Sequence, residues 1–218
     1  MKIHRGNFDS NVLFLQKVAF LQTPKRILEI GSGRGAMVQA LRDLGHDVTG
    51  TEVNPEYMEY AKSKYGIDLV KIDTATTDLP FPDASFDAVV SFDVFEHIPD
   101  TNAHLAEVKR VLAKEGRYLI GTPNKLTNIP FEIIKEKSFT KYKEYHCSLH
   151  TYWAIQKRLS VAGFTTQFIQ VPIVTPFFLQ KMKKYFGSFG VVLVTLLQPD
   201  RWPIWLKTNF YVEATKTD

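Results

Sequence analysis

The chain has 218 residues, 44% hydrophobic and 23% charged, with 27 basic and 23 acidic residues for a net charge of +4. That length suits one α/β domain with a proper core and is too short for two full ones. The charge excess is mild, without the concentrated basic stripe of nucleic-acid binding, so no nucleic-acid partner is expected; one cysteine, Cys147, forbids an intrachain disulfide and suits a reducing cytoplasm.

The opening residues, Met1 to Ser10, are polar and charged and show no secretory pattern. From Lys25 onward short apolar runs alternate with amphipathic ones. Arg26 to Ile30 reads as a buried strand ending at Gly31. Ala36 to Leu44 has helical spacing through Met37, Val38, Leu41 and Leu44, with Gly45 as its stop. Asp47 to Thr51 predicts a second strand, and Pro55 to Tyr65 a second helix, with proline in its first turn and Gly66 after its end. Leu69 to Ile72 and Phe86 to Phe92 predict the third and fourth strands. Thr101 or Asn102 can cap a helix running to about Lys114, which Gly116 ends; Tyr118 to Gly121 follows as a fifth strand. The longest late apolar run, Phe189 to Leu197, falls far short of the ~20 residues that span a membrane. Thr208 to Thr215 reads as the final strand.

Strands and helices alternating in this way imply right-handed βαβ units and a parallel sheet. Two stretches break the alternation. Residues 123–147 are rich in Lys, Glu and aromatics, and residues 172–206 are apolar and aromatic with four prolines. Both are expected to cover the substrate side of a single domain spanning 1–218.

Ligands of such sheets sit at the carboxyl ends of the strands. The first strand runs into Glu29-Ile30-Gly31-Ser32-Gly33-Arg34-Gly35, a turn that lets the backbone approach a ligand and feeds a helix N-terminus. Gly31, Gly33 and Ala36 also satisfy the dinucleotide fingerprint, so a nicotinamide-dependent oxidoreductase remains an alternative. Glu52 lies 21 residues after Gly31, at the end of the second strand, where a carboxylate can accept ribose hydroxyls of an adenosine ligand.

Glu29-x-Gly31-x-Gly33-x-Gly35 resembles the first motif of class I S-adenosylmethionine-dependent methyltransferases. Asp78 to Val90 resembles that family's approach to its fourth strand, and Phe95-Glu96-His97-Ile98-Pro99-Asp100 its continuation. Gly121-Thr122-Pro123-Asn124 resembles the end of its fifth strand, and Leu159 to Phe164 the lead into its sixth. The similarity runs from about Lys25 to Val171 and includes ubiquinone-biosynthesis O-methyltransferases. It implies a doubly wound α/β fold with a mostly parallel seven-stranded sheet and an antiparallel last strand. It implies S-adenosylmethionine as cofactor. Glu29 and the glycine turn, with Ser32, would hold the methionine moiety, and Glu52, with Val53, the ribose. Asp73 and Thr74 would lie near the adenine, and Phe92 and Asp93 near the transferring methyl. Acids at 29, 52 and 73 suit a sulfonium cation and would repel a pyrophosphate.

Methyl transfer is an in-line displacement that needs alignment, and a base only if the acceptor must lose a proton. His97 is the leading base candidate, by position and by its ordinary titration range; His146 and His150 are the others. Asp93, Glu96 and His97 would share a helical face and invite a metal reading, but the expectation is that no metal is bound. The expected acceptor is a small hydrophobic or lipid-linked molecule, methylated on oxygen. Phe177, Phe178, Tyr185, Phe186, Phe189, Trp202 and Trp205, interleaved with lysines, could line its pocket or lie on lipid as a peripheral membrane contact through 172–206. A non-catalytic, cofactor-binding regulatory protein is the remaining alternative.

Overall fold

The computed structural model describes residues 7–73 and 77–217. Its strands are β1 (Arg26–Ile30), β2 (Asp47–Glu52), β3 (Val70–Lys71), β4 (Phe86–Phe92), β5 (Leu112–Pro123), β6 (Phe164–Phe168) and β7 (Asn209–Lys216). They form one sheet in the order β3-β2-β1-β4-β5-β7-β6. The first five run parallel, and β7 lies antiparallel between β5 and β6. This is the doubly wound, mostly parallel arrangement expected.

The helices are α1 (Phe8–Lys17), α2 (Ala36–Asp43), α3 (Pro55–Tyr65), α4 (Thr101–Val111), α5 (Lys125–Glu136), α6 (Tyr142–Tyr145), α7 (Tyr152–Val161) and α8 (Pro176–Leu197). Side chains alternate across a strand, so each central strand feeds two cores. Leu28, Val89, Tyr118 and Ile120 face one core with Leu105, Val108 and Leu159. Ile27, Ala88, Val90 and Leu119 face the other with Phe14, Val38 and Leu41. Strands buried on both faces read as continuous apolar runs, which is why β1 and β4 stand out in the sequence.

Some boundaries differ from the sequence pattern. The helix expected to reach Lys114 stops at Val111, and β5 begins at once at Leu112 instead of Tyr118. Phe86 pairs with Leu112 and Ala88 with Arg117, so a bulge absorbs the residues between. Gly116 belongs to that bulge, where a Cβ would stand 2.9 Å from the Ala113 carbonyl oxygen; it ends no helix. The cap of α4 is Asp100, whose carboxylate accepts from Asn102 and Ala103 N–H, not Thr101 or Asn102. Edge strand β3 shrinks to two residues.

Five helices lie outside those that the sequence pattern predicts: α1, α5, α6, α7 and α8. α1 precedes the first strand. α5 runs through Pro130, a residue that normally breaks helices. α8 occupies 22 residues of the aromatic stretch and is broken at Gly187, where φ 63 and ψ −156 are non-helical.

Candidate functional site

Strand order reverses between β1 and β4: from β1 the sheet grows toward β2 and β3, and from β4 the other way. The loops leaving these two strands part there and open a crevice. A cavity of about 260 Å³ fills it, with Glu29, Gly31, Ser32, Gly33, Phe92 and Asp93 in its wall. Of the expected cofactor residues, these six come together directly.

The turn after β1 has its shape because glycine permits it. Gly31 and Gly35 hold φ of 73 and 79, and a Cβ on Gly31 would lie 2.5 Å from Val94 Cγ2. Gly35 caps α2 with no side-chain bond, so the amides of Ala36 and Met37 have no partner within the helix and lie beside the cavity, while that of Val38 bonds to Glu29. Glu52 fastens the turn from below. Its carboxylate accepts from the N–H of Gly33 at 2.6 Å, of Val53 at 2.8 Å and of Asn54 at 3.0 Å. A carboxylate has about four lone-pair sites, so three amides leave it room for another donor.

Glu29 is 4% exposed, and its Oε2 has no hydrogen-bond partner. Burial, aided by the neighbouring charge of Glu52, pushes its carboxyl up to about 8. A buried acid whose unpartnered oxygen lies at a cavity wall fits a cationic ligand group. The ammonium of S-adenosylmethionine would satisfy the oxygen and restore the charge.

Across the crevice, Phe92 packs edge-on against Phe14 of α1, with centroids 6.2 Å apart. Gly121 makes space for that ring, since a Cβ there would meet Phe92 Cδ1 at 2.5 Å. Asp93 follows with a positive φ of 54, its carboxylate open to the cavity and accepting from Asn7 Nδ2 at 3.4 Å. Dense surroundings raise its carboxyl to about 6, against the Asn7 hydrogen bond and the charge of Lys181.

Other expected residues lie elsewhere. Asp73 is exposed, two residues beyond the Lys71–Glu52 pairing of β3 with β2, and is not in the cavity wall. Thr74 lies outside the described residues. His97 and His146 face each other with ring centroids 5.1 Å apart, beside Glu96. These three residues offer ligand atoms all within 4.8 Å of one another, so His146 takes the place that the sequence pattern gave to Asp93. Burial and the neighbouring His97 hold His146 below its ordinary range, and its Nδ1 has no partner. Glu96 is pushed up to about 8, chiefly by burial and then by Asp93. It accepts from the Thr122 hydroxyl at 2.9 Å. His150 is buried against Phe95 at 5.3 Å, its ring held down to about 4 by burial.

Sequence reasoning missed the residues that close the crevice. Asn7, Phe8 and Asn11 of the α1 region line the cavity, and Asn11 Oδ1 accepts from the Tyr211 hydroxyl at 3.1 Å. The helical spacing of Phe8, Val12 and Leu15 could have placed α1, but nothing in it names a partner 200 residues away. Asn124 was also missed as a tie. Its Nδ2 donates to the carbonyls of Trp205 and Lys207, binding the end of β5 to the segment before β7.

Residues 28–120 match the family described as a methyltransferase domain. A probable S-adenosylmethionine-dependent methyltransferase of Mycolicibacterium smegmatis is 32% identical over 124 residues, covering 56% of this chain and 48% of that protein. A demethylmenaquinone methyltransferase of Thermus thermophilus is 32% identical over 108 residues, covering 47% of this chain and 49% of that protein. The chain thus spans about half the length of these relatives. In fold it is similar to the YcgJ protein of Bacillus subtilis, with a TM-score of 0.66 at 17% identity over 97% of this chain and 99% of that one. Sheet order and crevice have the doubly wound methyltransferase form, and residues 28–120 are similar to the methyltransferase domains of S-adenosylmethionine-dependent methyltransferases.

Proposed function

We propose that the chain moves the methyl group of S-adenosylmethionine to an oxygen of a small, apolar acceptor. The observation that carries this reading is the unpartnered Oε2 of Glu29, buried at the wall of the β1–β4 crevice. Glu29 would take the ammonium and the start of α2 the carboxylate. Glu52 would keep the glycine turn in shape and offer its remaining acceptor site to the ribose. Asp73, beyond β3, would meet the adenine end, with Thr74 beside it. The bound sulfonium supplies an activated methyl, and Phe92 and Asp93 would flank its path and exclude water. His97, between β4 and α4, and His146, after α6, would take the proton of an acceptor that arrives protonated, while His150, packed on Phe95, supports the wall.

The acceptor reading rests on the insertions. Residues 123–147 and 172–206 together hold nine basic and four acidic residues, against 18 and 19 in the rest of the chain. α8 leaves Phe189 and Leu196 each 72% exposed. An apolar, basic face suits an acceptor drawn from an anionic lipid surface. The demethylmenaquinone methyltransferases among the relatives favour a quinone-type ring as acceptor and do not bear on which of its atoms is methylated. No helix among the described residues is long and apolar enough to cross a membrane.

Thermal shift tests the cofactor: S-adenosylhomocysteine should raise the melting temperature and NAD should not. Release of S-adenosylhomocysteine with a panel of quinols, phenols and polar metabolites tests the acceptor. Turnover with the polar members alone would overturn the apolar part of the reading.

A further inference from the structure

The cleft between α5 and the first half of α8 has no role in the account above. It encloses about 400 Å³, with Phe131, Glu132, Phe177, Lys181, Lys184 and Tyr185 in its wall. Phe131 and Tyr185 meet edge to face at 5.5 Å and 89°. Lys181 Nζ lies 4.0 Å from the centroid of the Phe131 ring, and Lys184 Nζ 5.3 Å from that of Tyr185.

The charges of this cleft do not balance. The Glu132 carboxylate pairs with Lys135 at 2.7 Å, and Lys135 also pairs with Glu136 at 3.1 Å. Among the described residues neither Lys181 nor Lys184 forms an ion pair. Two ammonium groups therefore stand over aromatic faces with no acid of their own. Burial holds Lys181 below the usual lysine range, against the pull of Glu132 and Asp93. A neutral apolar ligand would use the rings but strip water from Lys181 without compensation. An anion carried on an aromatic ring would use both features. The charges of Lys181 and of Asp93 in the crevice wall each act on the other's titration, so the cleft and the crevice are coupled through charge.

We propose that the α5–α8 cleft binds the methyl acceptor as an aromatic anion, a phenolate or enolate, with its ring on Phe131 and Tyr185 and its charge between Lys181 and Lys184. The proposal rests on the methyl-transfer reading. The ionised oxygen attacks the methyl carbon, the carbon–sulfur bond breaks, and its electron pair leaves on sulfur as a neutral thioether. An acceptor that enters ionised needs no base at that moment. The product ether is neutral, loses its attraction to the two lysines and leaves.

The test uses the whole chain saturated with S-adenosylhomocysteine and 4-nitrophenol as probe, because its anion is coloured. The wild type should bind the anion and lower the probe's apparent pKa. Lys181→Met should weaken anion binding about tenfold, and the double change with Lys184→Met further, while Lys181→Arg retains most of it. Neutral 4-nitroanisole should bind weakly to all of them. S-adenosylhomocysteine should stabilise every variant equally, which shows them folded with the cofactor crevice intact. Unchanged anion binding by Lys181→Met, or equal binding of 4-nitroanisole, would overturn the cleft proposal alone. No stabilisation of the wild type by S-adenosylhomocysteine would overturn the methyl-transfer reading and the acceptor role with it.

Discussion

The crevice and the α5–α8 cleft are built differently. On the β1–β2 side of the crevice, one strand, one turn and one helix supply Glu29, the glycines and the free amides of α2, and Glu52 ties them together within 24 residues of chain. In the cleft, Phe131 and Tyr185 come from elements 54 residues apart, and the helices meet through side chains with no shared strand. The first is fixed by backbone bonds and can hold a constant ligand. The second is fixed by packing and can be remade without disturbing the first.

The most damaging change should be Gly31→Val. A branched side chain at φ 73, with its Cβ 2.5 Å from Val94 Cγ2, should cost about 2–4 kcal/mol of stability. Calorimetry should then find no S-adenosylhomocysteine binding. Normal affinity in this variant would show that the turn does not touch the ligand.

Glu29→Gln should weaken S-adenosylhomocysteine by about a hundredfold, since the ammonium loses its charged partner. It should also separate binding from stability. The folded-state value of about 8 lies above the ordinary 4.5, so this group's contribution to stability is complete below 4.5 and lost as pH rises through 8. Glutamine removes that loss. The variant should therefore melt higher than wild type at pH 8, by on the order of 2–4 kcal/mol, with the gap closing toward pH 4.5. The same logic predicts proton release when the wild type binds S-adenosylhomocysteine at pH 7, measured by calorimetry in buffers of different ionisation enthalpy.

Glu52→Gln retains the shape of the side chain but turns one acceptor oxygen into a donor facing backbone N–H groups. A loss of about 1.5–3 kcal/mol in stability is expected from denaturant melts, with affinity down about tenfold. The smallest folded-state effect belongs to the outer face. Phe189→Ser with Leu196→Ser should leave melting within about 0.5 kcal/mol and cofactor affinity unchanged, yet reduce flotation with anionic vesicles. If flotation persists, α8 is not the lipid-facing surface.

The sequence made the β1–β2 side of the crevice legible for a physical reason. A buried strand, a turn needing positive φ and a carboxylate at the end of the next strand each leave a local mark in residue type. The misreading of Gly116 shows the limit of such marks: the same residue can stop a helix or fill a bulge, and only pairing with β4 decides. The histidines show it again. His97 and His146 are 49 residues apart, and no pattern says that their rings meet while His150 turns to Phe95.

By itself the sequence determined the alternation of strands and helices, the glycine turn and the places of Glu29 and Glu52 beside it, because hydrophobic period and backbone strain act over a few residues. Only the tertiary structure decided which groups close the crevice, α1 over Asp93 and Asn11 against Tyr211, and which meet in the second cleft, Lys181 beside Phe131. Those contacts join residues that are far apart in the chain, and they exist because the sheet brings strand ends together and burial selects what can pack above them.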